Sequence, residues 1–272
     1  MSLQLNITGD RTRQKVTEWP LPLTLYGPVQ TFYINKGASL GVMYGNRVVR
    51  SMAELKENPK NANAADADYI VNEEGYLVKA SQYHTPKEKP ITYVNSAGES
   101  IVKIGDANPD FNLSVNPVFT WKKLAINGLV DWSQGGQIYN GTRQWPFFEN
   151  RDRIYDQRGK PEAAKKSQSY YNFFYNSLNP IEFFVEPGTY LKIRELAVHY
   201  TLDRKQLKSI GLGKLENLRL GAIGRNLFTF TKYSGYDPEV ASPFNNDPFQ
   251  VRMDWFTYPH FRTFTGLVEI AF

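Results

Sequence analysis

Two runs of strict alternation, separated by only two residues, limit the fold of this chain more than any other feature. In the first, Phe111, Leu113, Val115, Phe119 and Trp121 fall on one face of an extended strand, and Asn112, Ser114, Asn116 and Thr120 on the other. In the second, Leu124, Ile126, Val130 and Trp132 oppose Asn127, Asp131 and Ser133. Lys122-Lys123 makes a tight break between them, so the runs form a hairpin. Its apolar side ends in aromatics, as in a strand pair that faces lipid.

Further strands are expected at 190–201, 216–228 and 261–272, at 30–35 and 39–46 around a Lys36-Gly37 turn, through Leu3, Leu5 and Ile7, and more weakly through Leu21, Leu23 and Leu25. That gives about eight strands. The connections run long (47–110), very short (122–123), long (134–189), medium (202–215, with a short helix over 203–209) and long (229–260). Soluble domains seldom hold several loops above ~15 residues, whereas outer-membrane barrels have short turns on one side and long loops on the other. This rhythm places the long loops outside and Phe272 at the periplasmic end. Strand 190–201 breaks the alternation: Leu191 and Ile193 share a face with Glu195, and Leu196, Val198 and Tyr200 lie opposite. Lys192, Arg194 and Glu195 are expected to avoid lipid, either because the upper strand stands above the membrane or because a bulge near Arg194 flips the register.

Composition agrees. Aromatics make up 14% of 272 residues, and Gly and Pro number 20 and 16, as in a loop-rich all-β protein. A mean hydropathy of -0.48 is no objection to a barrel, in which only alternate strand residues meet lipid. No apolar run approaches the ~20 residues of a membrane helix. With no cysteine, disulfides, thiolate nucleophiles and Cys-ligated zinc are excluded. Lys and Arg are scattered rather than gathered in a stripe, which argues against nucleic acid.

From about Ile101 onward the chain resembles the SusC/RagA family of TonB-dependent outer-membrane transporters. The matching segments occur in the family's order: Ile104-Gly105-Asp106-Ala107-Asn108-Pro109-Asp110-Phe111, Gly135-Gly136-Gln137-Ile138-Tyr139-Asn140, Tyr190-Leu191-Lys192-Ile193-Arg194-Glu195-Leu196 with Tyr200-Thr201, Gly224-Arg225-Asn226-Leu227, Thr231 to Glu239, and Tyr258-Pro259 with Arg262-Thr263-Phe264. Gly37-Ala38-Ser39-Leu40-Gly41 also looks like the family's strand pair at that position. Residues 52–100 depart from the family pattern and leave the outer loop unassigned.

The resemblance implies an all-β fold: an antiparallel transmembrane β-barrel portion, part of a barrel of about 22 strands with long extracellular loops. Residues 1–272 are then the C-terminal part of the barrel, with plug and N-terminal domains absent from this chain. The start, Met1-Ser2-Leu3-Gln4-Leu5-Asn6, shows no signal peptide, which that reading explains. It further implies import of oligosaccharides or peptides across the outer membrane of a Gram-negative cell. The implied partners are a SusD-like surface lipoprotein, TonB acting through the missing N-terminal part, the barrel assembly machinery and outer-membrane lipid. No cofactor is implied.

Among candidate sites, Val268, Ile270 and the terminal Phe272 share one apolar face and look like a barrel assembly signal. Residues 145–148 and the Tyr170, Tyr171, Phe173, Phe174, Tyr175 cluster lie in the third loop, where 161–176 reads as a helix. Arg143, Trp145, Tyr170, Tyr171 and Phe174 are the candidate ligand or partner contacts, set against packing of the loop's own core. Arg143, Arg151 and Arg153 could bind acidic ligands, with solvated charge the favoured reading. Asp106, Asn108 and Asp110 mimic a calcium loop, but Phe111 and Pro117 stand where it needs Gly and Glu, so a turn cap is expected. His84, His199 and His260 are widely spaced, and no hydrolase, zinc-protease or phosphate-loop motif occurs. The chain is not expected to be an enzyme. A soluble carbohydrate-binding β-sandwich, which would bury its apolar strand faces against each other, and a self-contained eight-stranded barrel are the alternatives.

Overall fold

The computed structural model of the protein describes residues 1–22, 24–26, 30–175, 179–240 and 252–272. Its elements in chain order are β1 (Ser2–Asp10), β2 (Thr24–Tyr26), β3 (Phe32–Ile34), β4 (Val42–Asn46), α1 (Met52–Glu57), β5 (Tyr69–Val71), β6 (Leu77–Lys79), β7 (Ile101–Asp106), β8 (Phe111–Trp121), β9 (Leu124–Gln134), β10 (Gln137–Asn140), α2 (Gly141–Phe148), α3 (Gln168–Asn172), β11 (Val185–Pro187), β12 (Tyr190–Asp203), α4 (Arg204–Ser209), β13 (Asn217–Thr231), β14 (Met253–Asp254) and β15 (Thr263–Ala271), with single 3₁₀ turns between.

The long strands form one antiparallel sheet in the order β1-β8-β9-β12-β13-β15. The β8–β9 hairpin forms as its alternation requires, with Trp121 opposite Leu124. Lys122 takes a φ of 54°, the left-handed value that two-residue hairpin turns demand. Because residues paired across strands point the same way, the register sorts side chains into rows. One row, Leu3, Phe119, Ile126, Val198, Ala222 and Gly266, crosses all six strands and is apolar throughout. A row on the opposite face, Thr8, Ser114, Asp131, Lys192 and Thr229, is polar throughout. This two-faced sheet stays open: β1 and β15 are its edges and are not paired with each other.

The register of β12 shifts between Ile193 and Glu195 against both neighbours, which is the bulge that Glu195 called for. Without it, Leu196, Val198 and Tyr200 would join Lys192 on the polar face. With it they rejoin Leu191 and Ile193, while Lys192, Ala197 and His199 are buried on the other side. Glu195 pairs with Arg225 of β13 at 2.8 Å.

Two expectations need correction. The runs at 30–35 and 39–46 do contain strands, β3 and β4, but these belong to a separate sheet ordered β2-β3-β4-β7. They are three and five residues long, too short for the ~9–11 residues of a spanning strand. Phe32, Ile34, Val42 and Met43 are all buried, so these runs are interior strands rather than strands with one apolar face. Leu25 sits in β2, and Leu23 lies outside the described residues. The second correction concerns 161–176, which is not one helix. A 3₁₀ turn at Glu162–Ala164 ends at extended residues, and Ser167 caps a new start, α3, by accepting from the Tyr170 N–H. The break serves Lys166, whose ammonium is drawn inward to Glu88 at 2.8 Å and Glu73 at 2.9 Å. Asn176 lies outside the described residues. The short helix after β12 does form: α4 opens with a capping box between Asp203 and Gln206.

The pairing also fixes the connections. Lys122-Lys123 and the α4 segment join strands at one end of the sheet, while 11–110, 135–189 and 232–262 all leave from the other. These three excursions share a core of Phe32, Met43, Tyr139, Phe147, Tyr170, Tyr171, Phe174, Phe184 and Met253. Gly45 shows how tight that layer is, since a Cβ there would lie 2.3 Å from the Pro180 carbonyl oxygen.

Candidate functional site

The segments that carried the family resemblance are far apart in sequence, and several of them touch. Lys192, 2% exposed, projects from β12 into the loop that follows β13. Its ammonium donates to Asp237 at 2.6 Å and Glu239 at 2.8 Å. Arg194, the extra residue of the bulge, grips Glu239 with both terminal nitrogens and Asp131 of β9 with Nε. His260 closes the cluster at 3.0 Å from Asp237. Burial would raise the Asp237 carboxyl; the Lys192 ammonium, the Glu239 N–H and His260 overcome it and hold the group at about 2. Asp237, Glu239 and His260 could by geometry hold a metal ion, but Lys192 and Arg194 already supply the positive charge. This is a clamp that fastens a loop to the polar face of the sheet.

A second fastening lies beside it. Arg252 donates to the Gly135 and Gly188 carbonyls at 3.0 and 3.3 Å and to Ser133 Oγ at 2.6 Å. Gly135 and Gly136 both have positive φ, and Cβ atoms there would meet the Asp110 carboxylate and the Arg252 guanidinium below 3 Å. At the preceding corner Asp106 accepts from the Asn108 N–H at 3.1 Å and from its side-chain amide at 2.8 Å. That is the turn cap expected of the 106–110 segment.

Above these fastenings the loops enclose a cleft of about 430 Å³. Its floor is already saturated. Asn140 caps α2 through the Arg143 N–H and donates to Glu186, which accepts from Ser234 N–H and Oγ. Asp254 accepts from Thr142 Oγ1 at 2.6 Å and from the Tyr233 hydroxyl; burial, with Asp254 beside it, pushes the Tyr233 phenol well above its ordinary range. Arg143 is also engaged, with Asp152 at 3.0 Å and the Phe183 ring 5.0 Å below its guanidinium. Arg151 and Arg153, on the rim, have no carboxylate partner among the described residues.

The candidate contact residues therefore divide. Tyr170, Tyr171 and Phe174 are buried in the loop core, where the two tyrosine hydroxyls donate to Glu74 at 3.0 and 2.8 Å. Trp145 stays half exposed and meets Phe148 and Phe256 edge to face or tilted. Arg143 lines the cleft as part of its frame. Val268, Ile270 and Phe272 are exposed, the first two in register with Leu220 and Leu218 on the apolar face of the sheet. Of the histidines, His84 pairs with Glu73, His260 joins the clamp, and His199 is buried in the wall with no partner for Nδ1 among the described residues. Sequence reasoning missed the clamp, although its signal was visible as two cations in one strand and Asp-Pro-Glu in a nearby loop.

No family model matches the chain. The TonB-dependent receptor P3 of Formosa agariphila is 29% identical over 174 residues, which are 62% of this chain and 17% of that receptor. Among solved structures, the RagAB peptide transporter superposes with a TM-score of 0.58 at 15% identity, covering 99% of this chain and 27% of the solved one. The RagAB peptide importer in its open-open state gives 0.57 at 15% identity, over 99% and 26%. The likeness to the solved structures speaks for the fold, and this chain spans about a quarter of their length. The ordered sequence segments and the similarity to part of a TonB-dependent receptor agree with the fold that the chain shares with part of RagAB.

Proposed function

We propose that the chain forms part of the wall and outer loops of a TonB-dependent outer-membrane importer, and performs no covalent chemistry. The observation that carries this reading is the two-faced sheet. Its apolar rows are exposed on one side, and the other is mostly Asn, Ser, Thr, Asp, Lys and Arg, with Val118, Ala197 and Ile223 among them. In a bilayer the first face meets lipid and the second lines an aqueous lumen. Unpaired edges at β1 and β15 call for neighbouring strands, which a larger barrel of about 22 supplies. Residues 1–272 are then the C-terminal part of that barrel, with Val268, Ile270 and Phe272 as its assembly signal. A β-sandwich is not favoured: no second sheet covers Leu196, Val198, Phe228 or Val268, all of which are exposed among the described residues.

By the resemblance, the cargo is an oligosaccharide or peptide, and a SusD-like lipoprotein caps the loop end. The absence of native cysteine makes the wall directly testable. Spin labels on single cysteines at Val198 and Val268 should report a lipid environment, accessible to oxygen and shielded from a water-soluble nickel chelate. Labels at Thr201 and Thr265 should report the reverse. Equal chelate access at all four positions would refute a lipid-facing wall.

A further inference from the structure

We infer that the loop cleft is a binding site for a carboxylate, held by Arg151 and Arg153 beside the ring of Tyr236. This rests on the import reading above and gives its cargo a chemistry. Arg143, Arg151 and Arg153 look equivalent in sequence, and the fold separates them. Arg143 is spent on Asp152 and the Phe183 ring. Arg151 and Arg153 flank Asp152 on the chain, are exposed, and have no anionic partner among the described residues.

The acidic groups of the cleft do not cancel them. Asp152 binds Arg143 and caps the following 3₁₀ turn by accepting from the Ile154 N–H at 2.9 Å. Asp254 is buried and saturated by Thr142, Tyr233 and the Thr257 N–H. Hydroxyl and amide groups on the floor are likewise committed to each other. With three arginines against Asp152 and Asp254, the lining carries one net positive charge, and the guanidinium groups left at the opening are planar and bind carboxylates in a bidentate manner. Tyr236 is 83% exposed at the same cleft, apolar ring surface that no packing among the described residues covers. A cavity of about 430 Å³ admits a small unit rather than a whole chain. The ligand expected is an acidic residue of a short peptide or a uronate of an oligosaccharide. Both present a carboxylate next to a body that packs on a ring.

The test uses the receptor purified from outer membranes in detergent, with tri-glutamate and digalacturonate as probes and tri-glutamine and cellobiose as uncharged counterparts. Titration calorimetry at low salt should show binding of at least one acidic probe and of neither counterpart. The double variant R151Q/R153Q should weaken it by about tenfold or more, as should salt raised to ~0.5 M. Y236A should weaken the same probe severalfold. Which acidic probe binds identifies the source of the carboxylate. These rim residues are exposed, so the variants keep the fold, and unchanged circular dichroism checks that. Equal binding of charged and uncharged probes, binding unaffected by the double variant, or binding of no probe overturns the proposal. Accumulation of labelled probe in cells, with and without TonB, is read separately. Binding without accumulation leaves the cleft and sinks the import reading; TonB-dependent accumulation insensitive to R151Q/R153Q does the opposite.

Discussion

Replacing Lys192 by Ala should release the clamped loop while leaving the wall intact. The ammonium is almost fully buried and serves Asp237 and Glu239 at once. Removing one partner of a buried ion pair costs about 3–5 kcal/mol, because the remaining charge is left in a poor solvent. Arg194 still holds Glu239 after the substitution, and Asp237 loses its ammonium but keeps the Glu239 N–H and His260. The Asp237 side chain retains 12% exposure, enough for partial hydration, which puts the cost at the lower end, about 3 kcal/mol. At ~1.4 kcal/mol per decade that is roughly a hundredfold rise in the loop's opening constant. Hydrogen exchange followed by mass spectrometry in detergent reads this directly. The Glu239 amide donates to Asp237 and the Ser234 amide to Glu186, so both report on closure. Peptides covering 233–240 should exchange about a hundredfold faster, and those from β8 and β9 at their former rate. Unchanged exchange in 233–240 would mean that the ion pairs do not hold the loop. An equal acceleration across the wall strands would mean that the clamp is not a local device.

The same loop should loosen in acid: Asp237 is held at about 2 against an unfolded value near 3.9, so its contribution of about 2 kcal/mol persists above pH ~4 and is lost as pH falls towards 2. Protection factors at 233–240, which cancel the intrinsic pH dependence of exchange, should fall between pH ~4 and ~2, and a fall already complete by pH ~5 would contradict that sign. Phe174→Ala should cost about 3–5 kcal/mol of loop-layer stability, whereas Trp145→Ala should cost under ~1, measured as loss of protease resistance in the long connections. Gly45→Ala forces a Cβ into the Pro180 carbonyl and should destabilise the same layer by about 1–3 kcal/mol, with the wall unaffected. Val268→Arg on the outward face should cost up to ~2–4 kcal/mol in reversible unfolding from lipid, and Thr265→Arg on the inward face under ~1.

The parts of the fold legible in sequence are those in which one strand carries its own proof. The β8–β9 hairpin needed only its alternation, and the bulge in β12 was visible as a conflict between Ile193 and Glu195 that only an extra residue resolves. Strands β3 and β4 were misplaced because short apolar runs look alike whether they enter a wall or the interior of a cap. Lys166 was illegible for a different reason. Its partner Glu88 is 78 residues away, and a lysine whose neighbours in sequence are polar gives no sign of burial. The cleft was half visible. Its three arginines stood out, but which of them is neutralised depends on the curl of 146–153 that brings Asp152 back against Arg143.

The aromatic cap draws its side chains from three excursions that begin and end on different wall strands: Phe32 and Met43 from the first, Tyr139 to Phe184 from the second, Met253 from the third. The second excursion supplies most of that core, and the ends of each are brought together by strand pairing. Order of events follows from this connectivity. Pairing of the sheet lowers the closure entropy that the cap must otherwise offset. Until those strands pair, the cap consists of three segments whose ends have not yet been brought together.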